Sequence, residues 1–262
     1  MYHLSFISMK KTIFAGLLLM ATAQSANAQK VVLHMAGNQK FECNVSQLDS
    51  ITFEDDGFIV IDEHEWVDLG LPSGTLWATC NVGANSPEEY GDYFAWGETE
   101  PKYNYNYWSN YTYCNGTNKM TKYCTDSFWG YDGFTDTLTE LLPEDDAATV
   151  NWGSSWQMPS VEQFQELINN SYTTTKWTTQ NGKNGRLITS KSNNNSIFLP
   201  AAGSRVETRT NDGCGCYWSR SLYTGSCTHA DYLYFSSGDY IRLDITQRFI
   251  GHTVRPVRIK TR

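Results

Sequence analysis

The sequence predicts an α+β protein with few short helices and many short antiparallel strands, preceded by a small β unit. Apolar residues recur at helical spacing in only one well-capped stretch, Asn151 to Ile168. Elsewhere, short runs rich in β-branched and aromatic residues alternate with turns that contain Gly, Asn, Asp or Pro. The 262 residues, 40% of them hydrophobic, suit one ordinary domain and a smaller accessory unit.

The N-terminal residues 1–28 have the features of a signal peptide. Lys10 and Lys11 precede an apolar run over residues 13–23, and Ala26 and Ala28 provide the small-x-small pattern of a cleavage site. Met9 is an alternative start of translation. The apolar run is too short to span a bilayer comfortably, and no later segment is apolar enough to do so. We therefore predict an exported protein without a transmembrane segment, located in the periplasm, at the cell surface or outside the cell.

The charge and the cysteines limit the chemistry that we expect. The formal charge is -8 and only 18% of residues are charged, so a nucleic-acid partner is not predicted. Export permits disulfides among the seven cysteines. Cys114 and Cys124 could close a short loop, and Cys227 could pair with Cys214 or Cys216, although buried free thiols are the alternative. Without a CxxC pair or neighbouring histidines, we predict no metal ion and no other cofactor.

Residues 29–62 are predicted to form the small N-terminal β unit, and residues 63–262 the main domain. Four short strands are expected in the first part, at residues 31–35, 40–45, 50–53 and 58–61. Because so small a unit is marginally stable alone, residues 30–62 are expected to dock on the main domain or on a partner in a surface assembly.

The main domain is predicted to begin with a hairpin and to contain one well-defined helix. Ser160 caps that helix, Gln163 completes a capping box, and an apolar face follows. A helical turn is expected at residues 144–148. The predicted strands are at residues 66–69, 75–82, 93–96, 186–190, 196–200, 217–219, 230–235, 240–243 and 253–259. Pro256 favours an edge position for the last of them.

An unusual concentration of aromatic residues lies between Tyr90 and Phe134, where fifteen of 45 residues are aromatic. In an extended segment, alternate residues share one face, so Tyr103, Tyr105 and Tyr107 would form a stripe. Trp108, Tyr111 and Tyr113 would continue it. An exposed stripe of this kind could stack on sugar rings. The alternative is a long loop that packs its own aromatic side chains inward.

A family resemblance covers roughly Glu63 to Arg258. Six strings occur there in order: WVDLGLPSGTLWATCNVGA, YGDYFAWGE, DDAATVNWGSSWQMPS, IFLPAAG, YWS and GHTVRPVR. Together they resemble the Fibrobacter succinogenes major paralogous domain family of exported proteins. The resemblance implies a C-type-lectin-like fold, in the variant shared with formylglycine-generating enzymes. It implies paired terminal strands and a ligand face on the long irregular half. The family has no established catalytic residues, so none is assigned here.

Related folds suggest two chemistries, calcium-dependent sugar binding and oxidation at cysteines. The nearest strings to the calcium-lectin triplets are Glu100-Pro101-Lys102 and Thr210-Asn211-Asp212, and a lysine would stand where a calcium-ligating oxygen is required. A calcium site is therefore not predicted. By analogy with formylglycine-generating enzymes, Cys214, Cys216 and Cys227 could support a copper or thiol oxidoreductase activity. The flanking residues do not match that enzyme's motif.

Recognition is the predicted function. The segment from Gly203 to Tyr223 mixes Arg, Thr, Asn, Gly and aromatic residues, as binding loops do. An ordinary connecting loop is the alternative. Tyr217 and Trp218 are expected to be buried, and the residues expected near the ligand are Arg205, Arg209, Asn211, Asp212 and Arg220. We predict a non-enzymatic exported adhesion or recognition module that binds a glycan or a protein. The alternatives are the oxidoreductase activity and a structural subunit of a surface assembly.

Overall fold

The computed structural model is α+β, with two short α-helices and fifteen short strands among the residues that it describes, which confirms the predicted class. The described residues are 30–34, 40–44, 51–53, 59–61, 64–211 and 213–259. The predicted signal peptide lies outside them. The chain divides into two compact units, Met1–Glu63 and His64–Arg262.

The N-terminal unit contains two antiparallel hairpins in its described part. Strand β1 (Lys30–His34) pairs with β2 (Lys40–Asn44). Strand β3 (Ile51–Phe53) pairs with β4 (Ile59–Ile61). All four predicted strands of this unit are therefore present, with ends that differ by at most one residue.

The main unit brings its first and last described strands into one sheet. Strand β6 (Thr75–Ala78) lies between β5 (Trp66–Asp68) and β15 (Val257–Ile259). The β5–β6 turn closes with a bond from the Gly74 amide to the Leu71 carbonyl at 2.9 Å. Gly74 has φ +72°, a left-handed conformation that glycine adopts without steric cost. The last strand, β15, is at the sheet edge, as Pro256 just before it predicted.

A second sheet contains a strand that the sequence pattern did not predict. Strand β7 (Thr173–Gln180) pairs with β8 (Lys183–Ser190), which also pairs with β9 (Ser196–Pro200). Strand β7 is mostly threonine, so it has the β-branched side chains of a strand but no run of apolar residues. Asn181 and Gly182 both have positive φ, at +46° and +79°, which is typical of a type I′ hairpin turn.

The predicted binding loop at residues 203–223 is mostly strand, which corrects that expectation. Strand β10 (Ser204–Val206) and β11 (Arg209–Asn211) form a hairpin. Strand β12 (Cys214–Leu222) then joins β13 (His229–Ser236) and β14 (Ile241–Gln247) in a third sheet. Polar residues fit a strand here because the apolar residues between them, including Tyr217 and Trp218, are fully buried as predicted.

The strand predicted at residues 93–96 is reduced to a single bridge between Phe94 and His252. Their backbones exchange two hydrogen bonds of 2.9 and 3.0 Å, and the Trp96 amide bonds to the Arg248 carbonyl at 2.8 Å. Gly91 and Gly97 flank this segment with φ of +71° and +81°. Their left-handed backbone ends the extended run on both sides.

The two helices are α1 (Ala147–Trp152) and α2 (Val161–Leu167). The Ser160 and Gln163 side chains form the predicted capping box at the start of α2. Phe164 and Leu167 are fully buried in one apolar core with Trp77, as the amphipathic pattern predicted. Neither helix, in the part of the chain that the structure describes, has the length and apolar character needed to cross a membrane.

Three fully buried arginines support the irregular parts of the main unit. Arg186, Arg248 and Arg255 each donate hydrogen bonds to several backbone carbonyls. Buried carbonyl groups need hydrogen-bond donors. The arginines supply them both in loops, at Tyr123 and Cys227, and in strands, at Ala78 of β6 and Phe198 of β9.

One half-buried carboxyl, that of Asp231, makes the stability of the main unit depend on pH. Burial, with the nearby Glu162 charge, raises the pKa of Asp231 to about 6 from 3.8. A group whose pKa is higher in the folded than in the unfolded chain favours the folded state below its unfolded pKa of 3.8. That contribution to stability is lost as the pH rises through about 6. We expect Asp231→Asn to raise the melting temperature at pH 7.5 and to leave it unchanged at pH 4.

The expected gain is below about 1 kcal/mol, because Asp231 is only half-buried and solvent screens its charge. Thermal unfolding at the two pH values measures it. The exposed Glu100→Gln variant removes a carboxylate without this environment and serves as the control. Equal shifts at pH 4 and pH 7.5 would contradict the assignment.

Candidate functional site

The predicted tyrosine stripe does not share one face, which corrects that expectation. Tyr103 and Tyr107 are 86% and 53% exposed, whereas Tyr105 between them is 1% exposed. The backbone is extended at Tyr105, which pairs with Glu207 through two hydrogen bonds of 2.9 Å. Tyr107 then takes a φ of +46° and begins a 3₁₀ turn, so side chains no longer alternate between two faces from that residue onward.

Tyr105 is a structural anchor for this loop. Its hydroxyl donates to the Tyr93 carbonyl and accepts a bond from the Lys102 amide at 3.1 Å. Burial raises the pKa of Tyr105 to about 12, so the hydroxyl stays protonated at all physiological pH values. The inward-packing alternative therefore holds for Tyr105, and also for the buried Tyr111.

An aromatic platform, formed by Tyr107, Trp108 and Phe249, remains at the surface. The Tyr107 and Trp108 rings lie 5.4 and 4.8 Å from the ring of Phe249, measured between centroids. Phe249 is buried, Trp108 is partly buried and Tyr107 is about half exposed. The outer rings are thus held by a ring that belongs to a core. Such preorganised aromatic surface loses little entropy when a ligand stacks on it.

Uncharged polar groups lie beside the platform. The Ser109 hydroxyl donates to the Asn106 carbonyl at 2.7 Å, and the Asn110 side-chain amide donates to the Asn104 carbonyl at 2.6 Å. The Asn104 side-chain oxygen is buried and has no hydrogen-bond partner among the described residues. Asn106, Ser109 and Asn110 are exposed. Amide and hydroxyl groups beside an aromatic ring suit a ligand with many hydroxyls.

Arg205 lies beneath this loop, as part of its support. Its guanidinium is 4.4 Å from the centroid of the Tyr93 ring, and its backbone pairs with Gly251 through bonds of 2.8 and 2.9 Å. Tyr93 is the residue whose carbonyl accepts the Tyr105 hydroxyl. The structure therefore brings two predicted ligand residues, Arg205 and Tyr105, together at Tyr93, with Tyr105 buried and Arg205 partly buried.

The other predicted ligand residues are not part of the platform. Arg220 lies next to the start of α2, where its amide bonds to the Pro159 carbonyl and its side chain forms a salt bridge of 3.0 Å with Glu140. Arg209 and Asn211 lie at the two ends of strand β11. Asp212 lies outside the described residues. The predicted ligand face is thus divided, because β12 carries Arg220 away from the β10–β11 hairpin.

The predicted disulfide between Cys114 and Cys124 is not formed. The Cys114 thiol donates to the Trp108 carbonyl at 3.0 Å. Cys124 instead contacts the Cys227 thiol in the same buried core. No two cysteine sulfurs lie at bonding distance among the side chains that the structure describes. Within this loop Cys114 forms an antiparallel bridge with Met120, and the Cys124 thiol donates to the Asp126 carbonyl at 3.2 Å, so the two thiols have different partners.

The late cysteines also do not form one cluster. The sulfurs of Cys214 and Cys216 are 3.8 Å apart on β12, whereas Cys227 lies with Cys124 in a different core. The Cys214 contact and burial raise the pKa of the Cys216 thiol. Because the thiolate is the reactive and metal-binding form, this environment suppresses both roles at neutral pH. Within residues 64–211 and 213–259, no three side chains converge as a metal site.

Comparisons with protein families, with curated proteins and with solved structures find no significant match to this chain. The aromatic platform is therefore a candidate binding site on the grounds of its geometry alone. Sequence reasoning missed two residues that build it, Phe249 and Glu207, which belong to no recognisable pattern. Glu207 has a φ of +54°, and only tertiary pairing with Tyr105 indicates its role.

Proposed function

We propose that this protein is an exported, non-enzymatic recognition module that binds a neutral glycan through the aromatic platform. The observation that carries the proposal is the half-exposed Tyr107 ring, which the buried Phe249 ring holds in place. Sugar rings present apolar faces with hydroxyls at their edges, so they match an aromatic ring bordered by amides. The signal-peptide pattern and the family resemblance of the sequence support an exported binding protein.

A glycan suits this surface better than a charged macromolecule. The polar groups on the loop between residues 103 and 110 are Asn104, Asn106, Ser109 and Asn110, all uncharged. The charge nearest in sequence, that of Lys102, is compensated, since its ammonium is 2.5 Å from a Glu98 carboxylate oxygen. A charged partner would leave these neutral groups without matching charges.

The platform predicts a specific loss of affinity. Tyr107→Ala removes the exposed stacking ring but leaves Phe249 and the buried Tyr105 in place. We expect at least about a fivefold weaker affinity for the glycan identified by array screening, because truncation of a central aromatic anchor typically costs more than about 1 kcal/mol. Isothermal titration calorimetry with that glycan measures the change.

Tyr131→Ala is the matched control, because Tyr131 is 45% exposed and lies in a separate turn. It should bind as tightly as the unchanged protein. Equal affinities for the two variants would overturn the platform as the binding site. A second outcome would contradict the glycan proposal: the array shows no binding to any polysaccharide, and pull-down experiments find a stable protein partner. That result would favour a protein ligand or a surface assembly.

A further inference from the structure

Two distant cysteines meet in the core beneath the aromatic platform. Cys124 and Cys227 are fully buried there, together with Tyr105 and Phe249. The amide of Thr125, next to Cys124, donates to the Cys227 sulfur at 3.0 Å, and the Thr125 hydroxyl is 3.7 Å from the same sulfur. The Cys227 sulfur therefore lies against the backbone that carries Cys124.

One guanidinium group fixes the two backbones relative to each other. Arg248 donates to the Cys227 carbonyl at 2.9 Å and to the Tyr123 carbonyl at 3.1 Å. Tyr123 directly precedes Cys124. Both cysteines are thus adjacent to groups bound by the same rigid, planar side chain. Arg248 thus holds the two cysteine-bearing backbones beside each other, and a disulfide requires such neighbouring backbones.

We propose that Cys124 and Cys227 form a disulfide that joins the aromatic segment, which extends from Tyr90 to Phe134, to the connection between β12 and β13. The oxidant is a small-molecule disulfide of the glutathione type or a protein disulfide. One cysteine thiolate attacks this disulfide and releases a thiol, and the second thiolate then displaces the other thiol. Two protons and two electrons leave the cysteines, and one disulfide is reduced to two thiols. The inference does not depend on the glycan proposal.

The bond is expected to form while the chain folds. Burial, and then the contact with Cys227, raise the pKa of the Cys124 thiol to about 12. A thiol with this pKa is almost entirely protonated at neutral pH, so the folded, reduced protein reacts slowly. The same burial protects the completed disulfide from reductants, since they cannot reach it without unfolding.

Cys214 and Cys216 provide an internal contrast. Their sulfurs are 3.8 Å apart, but they are two residues apart on one strand. Extended residues at this spacing have Cα atoms about 6.6 Å apart, close to the upper limit for a disulfide. A bond between them would close almost no loop, so it would restrict the unfolded chain very little. We expect this pair to remain reduced.

Tryptic peptide mapping tests the bond directly. Cleavage after lysine and arginine places Cys124 in peptide 123–176, Cys227 in peptide 221–242, and Cys214 with Cys216 in peptide 210–220. The full chain is refolded with oxidised and reduced glutathione, alkylated in denaturant and digested without reduction. Mass spectrometry should find peptide 123–176 linked to peptide 221–242, and the link should disappear after reduction. Unlinked peptides, or a link from 221–242 to 210–220, would overturn the proposal.

Thermal unfolding provides a second measurement. Reduction in denaturant followed by refolding should lower the melting temperature of the unchanged chain by on the order of 5–10 °C, because the bond closes a loop of about 100 residues. The double variant Cys124→Ser, Cys227→Ser should show no such shift, whereas the partly exposed Cys80→Ser variant should retain it. A shift that persists in the double variant would assign the effect to another cysteine.

Discussion

Replacing Arg248 with methionine is expected to lower the free energy of unfolding of the main unit by about 3–5 kcal/mol. The guanidinium donates to the Tyr111 hydroxyl at 2.8 Å and to the carbonyls of Lys122, Tyr123 and Cys227 at 2.9 to 3.2 Å. Methionine has a similar length but no donor, so these buried acceptors would lose their partner. Since domains of this kind are stable by only about 5–15 kcal/mol, the change is large.

The aromatic rings around Arg248 add to this effect. Its guanidinium carbon is 4.8 Å from the Trp96 centroid and 5.2 Å from the Tyr111 centroid, which is the arrangement of a cation–π contact. No carboxylate forms an ion pair with Arg248 in the described part of the chain. Its positive charge is therefore stabilised by carbonyl dipoles and ring faces.

Denaturant unfolding of Arg248→Met measures the loss, and Arg242→Met is the matched control. Arg242 is exposed and makes a 2.5 Å salt bridge to Asp244 on the surface of β14, so its replacement should leave the unfolding midpoint nearly unchanged. Trypsin cleavage after Lys122 should also accelerate in the Arg248 variant, because the carbonyl of Lys122 loses its donor. Similar midpoints for the two variants would refute the role of Arg248 as a central support.

Replacing Asp146 with alanine is expected to cost about 2–4 kcal/mol. The buried carboxylate caps α1 by accepting bonds of 2.9 Å from the amides of Ala148 and Thr149. It also accepts the Met158 amide at 2.8 Å, just before α2 begins. Alanine would leave three amide groups without an acceptor, two of them at the start of a helix, and would disconnect the two helices.

Asp146→Asn separates the hydrogen bonds from the charge. Burial raises the pKa of Asp146 despite these three donors, so part of their contribution is offset by desolvation of the charge. Asparagine keeps an acceptor oxygen, is as good an N-cap residue and has no charge to desolvate. We expect Asp146→Asn to lower the free energy of unfolding, measured with denaturant, by less than about 1 kcal/mol. If the asparagine variant were as unstable as the alanine variant, the carboxylate charge would be essential and the capping account would fail.

Most secondary structure could be predicted because its signals are local. Ser160 and Gln163 lie three residues apart, so the capping box at α2 needs no tertiary contact. The Asn181-Gly182 turn is equally local, since both residues readily adopt positive φ. Strand β7 was missed because its threonines bury little apolar surface, and its pairing with β8 is what makes it a strand.

The aromatic segment could not be predicted in the same way. An alternating pattern predicts a shared face only while the backbone stays extended, and the backbone leaves that conformation at Tyr107. Which tyrosines are exposed then depends on partners far along the chain. Glu207 pairs with Tyr105, and Phe249 supports Tyr107, more than 100 residues away.

The sequence by itself determined the α+β class, the capped helix α2, the burial of Tyr217 and Trp218, and the expectation of export. These features depend on residue periodicity and on neighbours a few positions apart. Only the tertiary structure decided which aromatic rings reach the surface and which cysteines meet. Those outcomes depend on Phe249 and Arg248, which bring residues separated by about 100 positions into contact. Local preferences cannot encode such contacts, because the same tyrosine or cysteine is equally compatible with burial or exposure until its partner is in place.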